Sequence, residues 1–161
     1  MYTYLKNKFK LISVIIFMIL SAILLISSKE NKRNEINYCV GDINTNNVNL
    51  KSQGTMRYEF NKGIGVIIYN GIVYDNKNIN NFSYKVYFSY TKHNNTYIMK
   101  SKKIIDIGDN NETKLPSEYR NTLPHFYKHE NETYILGIYK VSSNGYLFYN
   151  FFVPFLYCEH K

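Results

Sequence analysis

Apolar and polar residues alternate along most of the chain beyond residue 38, and this alternation predicts β-strands. The clearest segment is "FSYKVYFSY", whose apolar positions are Phe82, Tyr84, Val86, Phe88 and Tyr90. An alternation of period two places these side chains on one face of a strand, as in a half-buried sheet. The segment therefore predicts a strand whose aromatic face is turned toward a core.

Other segments with strand character are "TMRYEF", "GIGVIIYNGIVY", "TYIMKSKKIIDI", "TYILGIYKV" and "YLFYNFFVPFLYC". The connections "TKHNN" and "SSNG" are rich in turn residues, so they predict two hairpins. Asn70-Gly71 is a strong hairpin dipeptide, but it could also mark a bulge in one long strand that turns at "DNKN". We favour the bulge, because "IVY" alone is short for a returning strand.

The segment "NETKLPSEYRNTLPHF" interrupts the strand pattern. It predicts a short helix that Ser117 caps, that contains Arg120 and Leu123, and that Pro124 ends. The chain is thus expected to be mainly β, with about six or seven antiparallel strands and one short helix between strands. A meander of that size must cover its apolar face, which favours a half-barrel or a small barrel.

The N-terminal region contains an apolar run, "LISVIIFMILSAILLISS", at residues 11–28. Eighteen residues without a charge or a polar face predict a transmembrane anchor. We expect a cytoplasmic tail at residues 1–10, a juxtamembrane linker at 29–37 and an exported β-rich domain at 38–161, because long domains cross largely regardless of charge. The alternative is a cleaved signal peptide, but "ISS" is a poor cleavage site.

The two cysteines, Cys39 and Cys158, both follow the apolar run and are 119 positions apart. In an oxidising compartment such a pair predicts a disulfide. Closing a loop of that length stabilises the fold by about 4–5 kcal/mol through the entropy of the unfolded chain. Pro154, close to Cys158, cannot donate a ladder hydrogen bond and so predicts an edge position or a bulge in the last strand.

Residues that carry catalytic or metal chemistry are sparse. His125 and His129 are four apart, but a third zinc ligand is not spaced nearby, so we interpret them as solvated or packed. The segment "DIGDNNE" lacks the ligand pattern of a calcium loop. No nucleophile stands in a recognisable catalytic setting, so we expect neither an enzyme nor a cofactor.

The charge distribution limits the classes of partner to be expected. The net charge is +8, but the lysines are scattered and the local cluster "KSKK" is typical of a solvated strand face. The predicted cytoplasmic tail is too short for a DNA-recognition module, so no nucleic-acid partner is expected.

Aromatic residues make up 17% of the chain, with seventeen Tyr, ten Phe and no Trp. They could simply form the core, or they could line a face that binds an amphipathic ligand or a partner protein. The candidate residues for such a face are Tyr84, Val86, Phe88, Tyr90, Phe148 and Phe152.

The order of segments resembles the FidL-like membrane proteins of enteric bacteria. The resemblance covers residues 38–158 and is carried by "GIGVIIYNGIVY", "YKVYFSY", "KLPSEYRNTL" and "NGYLFYNFFVPFLYC". Val153 stands before Pro154 where the pattern has Ser. The resemblance implies a companion of a membrane-spanning winged-helix transcription regulator, organised like the ToxS-like and VtrC-like companions. In the VtrC-like case it implies that the periplasmic domains of the companion and the regulator together form a lipocalin-like barrel that binds bile salts.

Three hypotheses follow. The first is a non-enzymatic periplasmic subunit, anchored in the inner membrane, that forms a heterodimer with a co-encoded regulator and stabilises it or senses a ligand such as a bile salt, so as to control virulence-type genes. The second is a self-sufficient, membrane-tethered barrel that binds a lipid or bile-type ligand. The third, an anchored enzyme, is disfavoured.

Overall fold

The computed structural model describes residues 12–25, 36–46, 50–75, 78–107 and 117–160, and every structural statement concerns these residues. The chain divides into two compact units, Met1–Glu35 and Ile36–Lys161, which are described separately.

In the first unit, residues 12–25 form an α-helix, α1, whose side chains are all exposed. Among the described residues, no helix is both long and apolar enough to cross a membrane. The anchor predicted at residues 11–28 extends past the described part of α1 at both ends, and so it stays a prediction. The predicted tail at residues 1–10 and most of the linker at 29–37 lie outside the described residues.

The second unit is a closed antiparallel barrel, in which each strand pairs with the next along the chain and the last pairs with the first. Its eight strands are β1 (Tyr38–Asn46), β2 (Leu50–Asn61), β3 (Ile64–Asp75), β4 (Asn78–His93), β5 (Thr96–Asp106), β6 (Thr133–Lys140), β7 (Gly145–Asn150) and β8 (Val153–Glu159).

The alternate apolar residues of β4 are buried, as the sequence pattern predicts. Phe82, Tyr84, Val86 and Phe88 are all buried in the core, whereas the residues between them are at least partly exposed. Successive side chains of a strand point to opposite faces, so the aromatic positions fill the barrel. The strand and its buried face are confirmed.

The mainly β fold and the small barrel are confirmed, whereas the count of six or seven strands and the alternative of a half-barrel are wrong. Sequence analysis missed β1, whose segment "YCVGDINTN" is rich in polar residues. It also treated residues 146–158 as one strand, whereas β7 and β8 are separated by a turn at Phe151-Phe152. The two additional strands allow the sheet to close on itself, which removes its exposed edges.

The predicted connections are mostly confirmed. Hairpins join β4 to β5 and β6 to β7 at the predicted turns. Strand β3 runs through Asn70-Gly71 as one long strand, so that dipeptide is not a turn. The register of β3 with both neighbours is continuous there, however, so the predicted bulge is wrong.

The short helix is also confirmed. Helix α2 spans Ser117–Thr122, and a 3₁₀ turn, His125–Tyr127, follows Pro124. Leu123 lies just beyond α2 rather than inside it. This insertion between β5 and β6 lies close to the barrel, because it contributes buried side chains to the core cluster.

The bulge predicted at Pro154 is present between β7 and β8. Tyr149 pairs with Pro154, and Phe148 pairs with Leu156, which leaves Phe155 as the extra residue. A bulge re-aims the side chains beside it, and Phe155 packs against the Phe148 ring at a centroid distance of 6.4 Å.

The seam between β1 and β8 closes the barrel. Its register contains one residue pair, Val40 with Glu159. Directly beside that pair, Cys39 and Cys158 form the predicted disulfide, with a Cα–Cα distance of 5.5 Å and no exposed surface on either residue. A side chain at Gly41 would collide with the backbone and side chains of β8, so glycine permits this close approach. The disulfide is thus the main link across a seam with little strand pairing.

We expect Cys158→Ser to lower the free energy of unfolding by about 2–5 kcal/mol, because the cross-link no longer restricts the unfolded chain. Urea denaturation measures the loss, and the faster migration of the oxidised protein on a non-reducing gel should vanish. The double variant Cys39→Ser/Cys158→Ser is the control. If the lost stability comes from the missing bond, removing the second thiol should not lower the free energy of unfolding further. Equal stability of wild type and single variant would contradict the role assigned to the disulfide.

Candidate functional site

The interior of the barrel is filled by aromatic side chains that the strands direct inward. They form one cluster with the smaller buried residues, and most of their rings contact one another edge-to-face or tilted. Such contacts add to the stabilisation that burial provides. The buried aromatic residues of the strands are Tyr58, Phe60, Tyr69, Phe82, Tyr84, Phe88, Tyr97, Tyr146 and Phe148.

The insertion between β5 and β6 completes this interior. Its residues Tyr119, Phe126 and Tyr127 are buried in the same cluster as the strand residues. The Phe126 ring lies 6.2 Å from that of Phe88, and the Tyr119 ring lies 5.9 Å from that of Phe82. The insertion therefore occupies space that an apolar ligand inside the barrel would need.

Tyrosine hydroxyls tie the insertion to the strands. The hydroxyls of Tyr119 and Tyr69 share a hydrogen bond of 2.6 Å, and those of Tyr127 and Tyr58 share one of 2.9 Å. Ser52 donates a hydrogen bond to the Tyr119 hydroxyl at 2.8 Å. These bonds satisfy polar groups that would otherwise be buried without partners, so they fix the position of the insertion.

A further bond involves the backbone, because the Tyr84 hydroxyl donates to the carbonyl oxygen of Tyr127. Burial raises the pKa of Tyr84, and the nearby Arg120 guanidinium opposes that shift. Arg120 belongs to α2 and Tyr84 to β4, so the helix also places a cation beside an inward-facing hydroxyl of the barrel.

Burial also raises the pKa of the other network tyrosines. The pKa values of Tyr58, Tyr69 and Tyr127 lie well above the usual 10, and that of Tyr134 is raised to about 12. Desolvation disfavours the charged phenolate, so these groups remain neutral hydrogen-bond donors at physiological pH. The interior is thus a hydrogen-bonded core in which these tyrosines carry no charge.

Metal chemistry finds little support in the described residues, where no three His, Cys, Asp or Glu side chains lie close enough to hold an ion. His125 and His129 stack with their ring centroids 5.6 Å apart, and both are exposed. A zinc site needs at least three protein ligands, and this pair provides two.

The predicted aromatic face divides between two places. Tyr84, Val86, Phe88 and Phe148 are buried inside the barrel, and Tyr90 is half-buried against the Phe60 and Tyr97 rings. Phe152 is 94% exposed in the turn between β7 and β8. Phe148 and Phe152 would share a face on one strand, but the turn between them breaks that relation.

A second aromatic surface covers the outside of the barrel on β5 to β8, and sequence analysis missed it. Cross-strand pairs align its outward side chains, since Tyr139 lies opposite Leu147 and Leu147 lies opposite Tyr157. Ile98 lies opposite Ile135 at the edge of this surface. We call it the aromatic face, and it comprises Ile98, Ile135, Tyr139, Leu147, Tyr149, Phe151, Phe152 and Tyr157.

A groove of about 310 Å³ lies on this face, lined by Tyr139, Tyr149, Phe151 and Phe152. The Tyr139 and Tyr149 rings meet edge-to-face at 5.4 Å. Gly137, opposite Tyr149, leaves room beside them, because a β-carbon there would lie 3.1 Å from the Tyr139 ring. The groove is therefore lined by four aromatic residues and no charged one.

The turn that presents the two phenylalanines is strained. Phe151 has a backbone φ of 55°, in the left-handed region where glycine is the usual residue. A side chain in that conformation costs about 1–2 kcal/mol, yet the ring is 82% exposed and makes little packing contact in return. A strained, exposed aromatic residue is typical of a binding site.

Only one sequence signal could have revealed this face. Residues 141–158 contain no charged residue, in a chain of which 20% is charged. The turn itself has none of the Gly, Asn-Gly or Asp-Gly signals on which hairpin prediction depends.

We expect Tyr127→Phe to destabilise the barrel by about 1–3 kcal/mol, because the buried Tyr58 hydroxyl loses its partner. Urea denaturation measures the change. Removing both hydroxyls in Tyr58→Phe/Tyr127→Phe should recover part of the loss, and Tyr87→Phe on the partly exposed outer side of β4 should change stability by less than about 0.5 kcal/mol. A Tyr127→Phe protein as stable as wild type would contradict the network.

Alkaline pH should unfold the protein. Unfolded tyrosines ionise near pH 10, whereas folding raises the pKa of Tyr134 to about 12 and holds the pKa values of Tyr58, Tyr69 and Tyr127 well above 10. Above about pH 10 the unfolded state therefore holds fewer protons, so the free energy of unfolding falls as pH rises, while below pH 10 this contribution is intact. Tyrosinate absorbance and circular dichroism should show the buried tyrosines ionising only on unfolding. A single titration near pH 10 with the fold retained would contradict this.

Comparisons with known proteins leave the family open. Neither protein-family models, nor curated proteins, nor solved structures gave a match to this chain. The resemblance to the FidL-like proteins stays a prediction.

Proposed function

We propose that this chain is a non-enzymatic accessory subunit, exported across the inner membrane, that binds the outer domain of a membrane-spanning winged-helix transcription regulator. The observation that carries the proposal is the aromatic face, with its groove of about 310 Å³ and the exposed Phe151-Phe152 turn. Contiguous exposed apolar surface of this kind is typical of protein interfaces, whose centres are rich in Tyr and Phe and poor in charge.

Two further observations support export and attachment to a membrane. The buried disulfide between Cys39 and Cys158 needs an oxidising compartment to form and persist. The uncharged run at residues 11–28 has the length and composition of an anchor. A subunit held beside the membrane meets a membrane-spanning partner at high effective concentration, so a face of modest size is sufficient.

The filled interior favours binding at the surface over the tethered ligand carrier. A bile salt or lipid inside the barrel would have to displace Phe126 and Tyr127 and break the hydrogen bond between Tyr127 and Tyr58. Sensing of such a ligand by the subunit is therefore proposed to occur in the complex with the regulator, where the groove would become enclosed between two proteins.

We expect the tagged full-length chain to retain the co-encoded regulator on purification, and Tyr139→Ser/Phe152→Ser to reduce its recovery at least 10-fold, because central aromatic contacts dominate such interfaces. The matched control is Ile79→Ser, since Ile79 is 70% exposed on β4 and lies outside the face. Recovery of the regulator that is equal in all three proteins, or absent with wild type, would contradict the proposal.

A further inference from the structure

The aromatic face is suited to self-association because of its charge. Between residues 133 and 158 the only charged residue is Lys140, although the chain as a whole carries a net charge of +8. Two copies therefore repel one another over most of their surfaces. In a two-fold dimer, each patch lies against the identical patch of the second copy. Like charges would therefore face each other across the contact unless the patch is uncharged. The residues of the aromatic face itself carry no charge, and the exposed Lys100, Lys140 and Glu159 lie at its margins.

The shape of the face is also self-complementary. Phe151 and Phe152 protrude directly beside the groove that they share with Tyr139 and Tyr149. A cavity of roughly 150 Å³ holds a benzene ring. The groove, at about 310 Å³, has room for two rings. The turn of a second copy, with its two phenylalanines, supplies two rings of the right chemistry.

The exposed area is large enough for a dimer. An aromatic side chain presents about 150–250 Å² when fully exposed, so Tyr139, Phe151, Phe152 and Tyr157 together leave roughly 500 Å² accessible. Ile98 and Ile135 are exposed on the same face, and Leu147 and Tyr149 are partly exposed there, so all four add to this area. The total approaches the roughly 800 Å² per partner of a specific interface of standard size.

We infer that two copies of this chain bind through their aromatic faces about a two-fold axis, with the Phe151-Phe152 turn of each copy in the groove of the other. The strained turn is then explained, because the interface covers a phenylalanine at a position where glycine would fold more readily. The inference rests on the proposed function in one respect: the regulator uses the same face, so it displaces the second copy when it binds.

Photo-crosslinking tests the contact in the full-length protein. Benzoylphenylalanine at position 152 keeps an aromatic ring in the turn, and irradiation should give a covalent product of twice the 19.1 kDa chain mass. The same group at position 79, on β4, is the control and should give none. Absence of the dimer at 152, crosslinking to detergent or lipid alone, or equal dimer yields at both positions would overturn the inference.

Sedimentation equilibrium over a range of concentrations tests the energetics. Phe152→Ser should weaken dimerisation at least 10-fold, whereas Ile79→Ser should leave it unchanged. Both variants retain α1, so any association through that helix is the same in both and does not affect the comparison. Phe151→Gly should raise the unfolding temperature and weaken the dimer, because it relieves the turn but removes a ring. A wild type that sediments as a monomer throughout, or a Phe152→Ser dimer as strong as wild type, would refute the inference.

Adding the regulator separates this inference from the proposed function. Loss of the 152 crosslink as the regulator binds supports both. If the crosslinked dimer forms but never binds the regulator, the inferred dimer is supported and the proposed function is refuted. If the chain binds the regulator but never dimerises, the proposed function is supported and the inferred dimer is refuted. A crosslinked dimer that binds the regulator without dissociating refutes the shared face.

Discussion

Closure of the seam between β1 and β8 is the constraint on which the rest of the barrel depends. One register pair, Val40 with Glu159, joins the two strands, and the disulfide between Cys39 and Cys158 lies beside it. Because the bond links the first strand to the last across 119 positions, it turns an eight-stranded meander into a closed cylinder. It also ties β1 to β8, which pairs with β7 through the turn that presents Phe151 and Phe152.

Closure has a direct consequence for function. A closed barrel has an inside and an outside, and here the inside is occupied by the protein's own aromatic rings, including Phe126 and Tyr127 of the insertion. Hydrogen bonds between neutral tyrosine hydroxyls fix those rings, so the interior acts as a core. The surface that is left to bind is the aromatic face on the outer side of β5 to β8. The proposed complex with a regulator and the inferred homodimer both depend on that face.

The sequence was most informative where a single local rule decides the structure. Period-two alternation identified β4, and two cysteines after an apolar run identified the disulfide. Prediction failed where the structure depends on closure of the barrel. Tyr119 and Tyr127 could not be placed inside the barrel from sequence, because their burial depends on strands far away in the chain. The β7–β8 turn was missed because Phe151 adopts a positive φ without any of the residues that usually signal one.

Amide hydrogen exchange of the disulfide-intact protein, compared with the protein after reduction and alkylation, tests the role of the seam most directly. If the disulfide closes the barrel, amides of β1 and β8 should lose protection at least ~10-fold on reduction, and the β7–β8 turn should follow, while β2 to β4 keep most of theirs. Protection that is unchanged on reduction, or that falls equally in every strand, would contradict the claim that this bond organises the barrel and its binding face.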